Sequence, residues 1–257
     1  MNPHKDHRSR VKARFMSEGL SSFADHNVLE LLLFYAIPQK DVNELAHALL
    51  DKFGSIAGVL DADPIALMEV DGIGEHAATL LKLIPPLAGK YYEESEVPKN
   101  SAETADSLGK MFIAKFFGET NEVVYLTMLD NSMRIIDTVK VFSGSVSSAH
   151  ITPRMVIEPC ILRKAAIAVI AHNHPGGIAI PSMQDMGTTK DLQIAMSSVG
   201  IPLLEHYLIA EGKYLPLMYK MNGVVRQNAQ TNEFYAGMDT SRFYYDLEIN
   251  KSPNYEG

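Results

Sequence analysis

An apolar run, Ala165 to Ala171, ends abruptly in His172-Asn173-His174-Pro175-Gly176-Gly177. The run is too short to cross a bilayer and reads as a buried strand. Side chains alternate along a strand with a period of two, so His172 and His174 leave it on one face. Pro175 ends the strand and the two glycines turn the chain away. Ser182 and Asp185 follow in the Ser-x-x-Asp spacing that opens a helix, expected over residues 182–199. The first turn of that helix faces the strand end. Asp185 can therefore cap the helix and still point at the histidines. Two neutral imidazoles and one carboxylate make a three-donor zinc site. Its fourth position stays open to water, whose pKa falls towards 7 on the metal. The plainer alternative is a pair of hydrogen-bonded histidines beside an ordinary helix cap.

The rest of the chain supports a fold able to hold such a site. Its 257 residues are 46% hydrophobic and 21% charged, enough for two modest domains or one large one with a real core. The single cysteine, Cys160, excludes a disulfide framework and a cysteine-rich zinc finger. It reads as a small core residue. No signal-peptide pattern opens the chain and no apolar run reaches a membrane span, so a cytoplasmic location is expected. The net charge of −8 argues against a general cationic surface for nucleic acid. The first fourteen residues are basic, however. They read as a solvated, frayed terminus, or else as a short phosphate-contacting arm.

Residues 1–93 read as a helical domain. Leu29, Leu32, Leu33 and Ala36 recur at helical spacing between Asp25 and Pro38. Further helices are expected over 41–53, closed by Gly54, over 55–60, and over 64–70 behind the cap Asp63. Gly72-Ile73-Gly74 then forms a tight turn between helices. Gly72 supplies a positive φ, Ile73 plugs the hairpin, and Gly74 opens a helix N-terminus able to meet a phosphate. Glu75 and His76 stand where a cation would help. DNA-backbone contact and a packing turn are both open readings here. Residues 94–100 read as a polar linker and 101–221 as an alternating α/β domain. Within it, strands are expected over 123–129, 133–142, 166–171 and 203–210, with helices over 107–117, 154–164 and 182–199. Glu205 and His206 point to opposite faces of their strand. Either they form an exposed pair or one of them supports a ligand imidazole. The tail, 222–257, is polar but carries Phe234, Tyr235, Phe243, Tyr244 and Tyr245. It is expected to be disordered or to dock an aromatic segment on this chain or on a neighbour, with a tail-mediated dimer among the options.

The spacing His172-x-His174-x7-Ser182-x2-Asp185, with Phe142-Ser143-Gly144-Ser145, Pro153-Arg154, Glu205-His206 and the Gly-Ile-Gly hairpin, resembles the RadC family of the JAB/MPN (JAMM-motif) superfamily. The resemblance spans roughly residues 8–219. It implies a helix-hairpin-helix domain followed by a three-layer, cytidine-deaminase-like α/β domain. It also implies zinc on His172, His174 and Asp185, with Ser182 stabilising the oxyanion formed during hydrolysis of a peptide or isopeptide bond. The family pattern carries a glutamate five residues before its turn glycine. Here that place is Val139, which cannot move a proton. Glu158, on the next helix, is the nearest acidic candidate in sequence. The expected activity is a zinc-dependent metallohydrolase acting on a protein or peptide. The alternative is a DNA-repair-associated, DNA- or protein-binding protein with a structural zinc domain. A nucleobase deaminase is disfavoured, because its Pro-Cys-x-x-Cys and His-x-Glu patterns are missing.

Overall fold

A computed structural model describes residues 3–38, 40–96, 104–144, 151–219 and 244. The expected linker beyond residue 96, Ser145, and the tail apart from Tyr244 lie outside these. The chain divides into two compact units, 1–88 and 89–257. Among the described residues, no helix is long and apolar enough to cross a membrane.

The first unit is helical: α1 (Pro3–Glu18), α2 (Asp25–Ala36), α3 (Asn43–Phe53), α4 (Ile56–Asp61), α5 (Pro64–Met68) and the start of α6 (Glu75–Glu96). The local signals behave as expected. Gly54 takes φ +82° after α3, Ser55 accepts from the Gly58 amide, and Asp63 accepts from the Ile65 amide ahead of Pro64. Leu29, Leu33, Leu49, Val59, Leu67 and Leu81 fill one core.

The basic N-terminus differs from expectation, because it is a docked helix. Val11 is buried. Arg8 donates to the carbonyls of Phe34 (3.1 Å), Ile37 (2.7 Å) and Lys40, and its guanidinium lies 4.5 Å from the Phe34 ring centroid. It thus answers two carbonyls at the end of α2, those of Phe34 and Ile37, and one from the loop beyond. Lys12 lies over Tyr35 and Arg14 over Phe23. His7 meets the fully buried Glu30 at 2.9 Å. Arg8, Lys12 and Arg14, which read as part of a solvated arm, are thus partners of aromatic rings, and Arg8 of carbonyls as well.

The second unit takes in the last turns of α6. Glu93 pairs with Lys115, and Tyr92 packs its ring 6.1 Å from Phe117. The division therefore falls inside α6, ahead of the polar stretch that suggests a boundary after residue 93. Next come α7 (Ala105–Lys115), β1 (Glu122–Leu129), β2 (Ile135–Gly144), α8 (Pro153–Leu162), β3 (Ile167–Asn173), α9 (Met183–Ser198), β4 (Leu203–Ala210) and β5 (Lys213–Pro216). The strands form one sheet in the order β2-β1-β3-β4-β5. β3 and β4 are parallel and joined through α9, while their outer neighbours run antiparallel. The sheet is covered on both faces. Ile167, Val169 and Ala171 join the core containing α7, whereas Ala168 and Ile170 join the core containing Val156 and Cys160 of α8 and Leu192 and Met196 of α9. This is a three-layer mixed α/β arrangement. His172 continues the second set and leaves β3 on the α8–α9 face.

Glu205 lies on the opposite face, fully buried. It accepts from the amides of His206 (2.7 Å), Met218 (2.7 Å) and Tyr219 (3.0 Å) and from the Tyr244 hydroxyl (2.8 Å). The Tyr244 ring packs 4.9 Å from Tyr219. At this residue the aromatic tail docks on its own chain. Burial pushes the Glu205 carboxyl up to about 7 in spite of its four donors.

Two expectations follow. Arg8→Ala costs about 1–3 kcal/mol of stability, read by chemical denaturation, because three carbonyls lose a charged donor. Glu205 binds its proton more tightly folded than unfolded. Its contribution is therefore fully present below about pH 4.5 and is lost as pH rises through about 7. The stability of the wild type relative to Glu205→Gln falls across that window. A difference that stays constant with pH would contradict a buried, titrating carboxylate.

Candidate metal centre

His172, His174 and Asp185 come together. The His172 Nε2 lies 3.3 Å from the His174 Nε2 and 3.2 Å from the Asp185 Oδ1, and the His174 Nε2 lies 3.5 Å from the Asp185 Oδ2. The three form a group that could hold a metal ion. They line a cavity of about 410 Å³ together with Ser182, Glu122 and His206. His172 is nearly buried, while His174 and Asp185 are partly open to the cavity.

Local folding explains the convergence. The parallel pair β3–β4 presents its C-terminal end where α9 begins. His174 keeps strand-like pairing beyond β3, its amide donating to the Ile209 carbonyl at 3.0 Å. The chain then turns tightly: a Cβ on Gly177 would come within 3.2 Å of the His174 Cβ. Asp185 is set by the expected capping box. The Ser182 amide and hydroxyl both donate to its Oδ2 at 2.7 Å, and its own amide donates to the Ser182 Oγ at 3.1 Å. Cap and cavity wall are thus the same residues.

The electrostatics are those of a carboxylate between two imidazoles. Burial alone would raise the Asp185 carboxyl. Hydrogen bonding with His172 and His174 outweighs it and holds the group well below the usual carboxylate range. The Asp185 hydrogen bond raises the His174 imidazole above its ordinary value, against the opposing effect of burial.

His206 is the member of the Glu205–His206 pair that reaches the site. Its Nε2 lies 2.7 Å from the His172 Nδ1, and its Nδ1 lies 2.6 Å from the Thr189 Oγ1. Burial, reinforced by the neighbouring His172, keeps it well below the ordinary histidine value, so it is neutral.

Three residues on or near the cavity escape the sequence argument. Thr189 sits two turns into α9, where it reads as an ordinary helical threonine. Glu122, the first residue of β1, stands two before Val124, which pairs with His172. The period of two puts Glu122 on the face that carries the histidines. Asn173, between the histidines, points the other way. It accepts from the Val123 amide at 2.7 Å and donates to the Asn121 carbonyl at 3.0 Å, pinning both neighbours of Glu122. Only pairing register, which one sequence does not contain, brings 122 beside 174.

The remaining sequence candidates fall elsewhere. Val139 packs against the α8–α9 core. Glu158 is 59% exposed and pairs with Arg154 one turn earlier, so it does not line the cavity. In the first unit, Gly72 takes φ +96° and Ile73 is buried, as the hairpin turn requires. Gly74 precedes α6 with open space where a Cβ would stand, and exposed Asp71 and Glu75 flank the turn.

Residues 102–223 match the family described as the RadC-like JAB domain. UPF0758 protein FN0909 of Fusobacterium nucleatum subsp. nucleatum is 30% identical over 222 residues, 84% of this chain and 96% of that protein. UPF0758 protein SPO0054 of Ruegeria pomeroyi is 31% identical over 219 residues, 85% of this chain and 97% of that protein. A JAB-type fold built around a His-x-His strand end and a Ser-x-x-Asp helix start, with relatives matched along nearly their whole length, makes this chain a member of the RadC family.

Proposed function

We propose that this chain is a zinc-dependent hydrolase of an amide bond, acting on a protein or peptide substrate. The observation that carries the reading is the convergence of two imidazoles and a carboxylate. Atoms bound at about 2.0 Å to one tetrahedral ion lie roughly 3.3 Å apart; the two Nε2 atoms lie 3.3 Å apart, and the Asp185 carboxylate sets Oδ1 3.2 Å from one and Oδ2 3.5 Å from the other, on the wall of an open cavity. Two imidazoles and one carboxylate suit zinc, and three protein donors are the complement of a catalytic site with one position left open. When bound, zinc supplies Lewis acidity, which polarises a carbonyl and lowers the pKa of water.

The chain's own residues supply the rest. Ser182 has one hydroxyl proton, held on Asp185 at 2.7 Å at the cavity wall. As an amide carbonyl gains negative charge, that proton turns from Asp185 Oδ2, which keeps the Ser182 amide as a donor at 2.7 Å, and is donated to the developing oxyanion. Glu122 takes the proton of the attacking water and returns it to the leaving amine. It fills the chemical role that Val139 cannot, from the neighbouring strand. Asn173 holds the backbone on both sides of Glu122 and so fixes where the carboxylate starts.

A second reading is a DNA-associated module with a structural zinc domain. The formed turn at Gly72-Ile73-Gly74 favours it. The carboxylates of Asp71 and Glu75 beside that turn oppose phosphate contact, so we rank it second. Its signature is DNA affinity that falls with salt and is lost on altering the turn, with no hydrolysis.

The test combines elemental analysis with hydrolysis of a panel of fluorogenic peptide and isopeptide substrates. The wild type is expected to carry about one zinc per chain and to hydrolyse at least one substrate class. His174→Ala loses both. Glu122→Gln and Ser182→Ala keep the metal and lose about 100-fold or more in kcat. A wild type that takes up no zinc when supplied with it contradicts the reading. A Glu122→Gln variant with full turnover removes Glu122 from the mechanism.

A further inference from the structure

Behind the donor group lies a buried chain of hydrogen bonds whose direction follows from its first link. The Asp185 backbone carbonyl lies 2.6 Å from the Thr189 Oγ1. A carbonyl has no proton to give, so the Thr189 hydroxyl donates. That contact alone is ordinary for a threonine in a helix. The next one is not. With its proton committed, the Thr189 Oγ1 can only accept from the His206 Nδ1 at 2.6 Å. His206 is fully buried and has no carboxylate among its side-chain hydrogen-bond partners, so its ring is neutral. A neutral ring with its proton on Nδ1 has a bare Nε2. The 2.7 Å contact with the His172 Nδ1 is then a bond donated by His172. The His172 Nδ1 therefore carries a proton, and Nε2 is the ring nitrogen that faces the His174 Nε2 and the Asp185 Oδ1.

We propose that Thr189 and His206 are positioning residues for the metal. The Thr189 hydroxyl selects the tautomer of His206, and His206 selects the tautomer of His172 that leaves Nε2 free to coordinate. The proposal rests on the metal reading above, but its first half, the proton positions, stands without a metal. The relay starts on the backbone of one ligand, Asp185, and ends on the ring of another, His172. It ties α9 to β3 through β4, so the tautomer of one ligand depends on the placement of the other. Thr189 is 0% exposed and His206 1%, so solvent cannot replace a lost link. A partner imidazole in place of the usual carboxylate or carbonyl also adds no negative charge behind the site. The net charge of the centre then rests on Asp185.

The test compares Thr189→Val, which keeps shape and loses the hydroxyl, with Thr189→Ser, which keeps the hydroxyl. Zinc affinity is measured by chelator competition. The valine variant is expected to bind about 10- to 100-fold more weakly and the serine variant within about 3-fold of wild type. In parallel, imidazole nitrogen NMR on the metal-free wild type reads the proton positions directly. The Nδ1 of both His172 and His206 is expected to carry a proton, and the His206 assignment is lost in the valine variant. A wild-type His172 whose Nδ1 carries no proton overturns the relay, as does a valine variant that binds zinc like the wild type. If the wild type binds no zinc, the metal reading falls, and the NMR spectrum still decides the relay.

Discussion

The structure depends on bringing two imidazole nitrogens to 3.3 Å from each other, each within 3.5 Å of an oxygen of one carboxylate, at the end of a buried strand. Such an arrangement is unfavourable on its own. Lone pairs of two imidazoles and a carboxylate repel at this distance unless protons or a cation lie between them. Asp185 shows the role of those protons: burial would raise its carboxyl, and hydrogen bonding with the two rings outweighs it and holds the group well below the ordinary range. A fold that maintains the cluster must fix each donor from behind. His172 and His174 are fixed by β3 and its extension along β4, and Asp185 by a cap whose bonds it shares with Ser182.

The sheet explains why the donors and the other cavity residues share one side. With period-two alternation, β3 gives one set of side chains to the α7 core and the other to the α8–α9 core. The histidines extend the second set. Glu122 and Val124 fall on the same side by antiparallel register. A pairing irregularity between Ala168 and Val169, opposite Leu203 to Glu205, sets the phase of β4. That phase sends His206 to the cavity face and Glu205 to the other. One local shift thus assigns one residue to the contact with His172 and its neighbour to the buried anchor of Tyr244.

Much of this was legible in the sequence, and the gaps have physical reasons. The donor triad, the capping box and the hairpin turn are local patterns, with partners a few residues apart. Short-range stereochemistry fixes them. The helix boundaries at Gly54 and Asp63 are legible for the same reason. Glu122 was not, because its position beside His174 is a matter of strand pairing across some fifty residues. Glu158, near in sequence, proved to face solvent beside Arg154. The basic N-terminus misled because charge pattern does not show which cations will find rings and carbonyls to bind. Arg8 and Arg14 do so only once α2 and Phe23 are in place. Thr189 carries no sequence signal at all.

The most direct measurement of the central claim is X-ray absorption at the zinc edge on the zinc-loaded protein. The account predicts a four-coordinate ion with the multiple-scattering pattern of two imidazoles and light oxygen donors, and a spectrum of one imidazole in His172→Gln. A six-coordinate, all-oxygen environment, or a wild-type spectrum unchanged by that substitution, would contradict it.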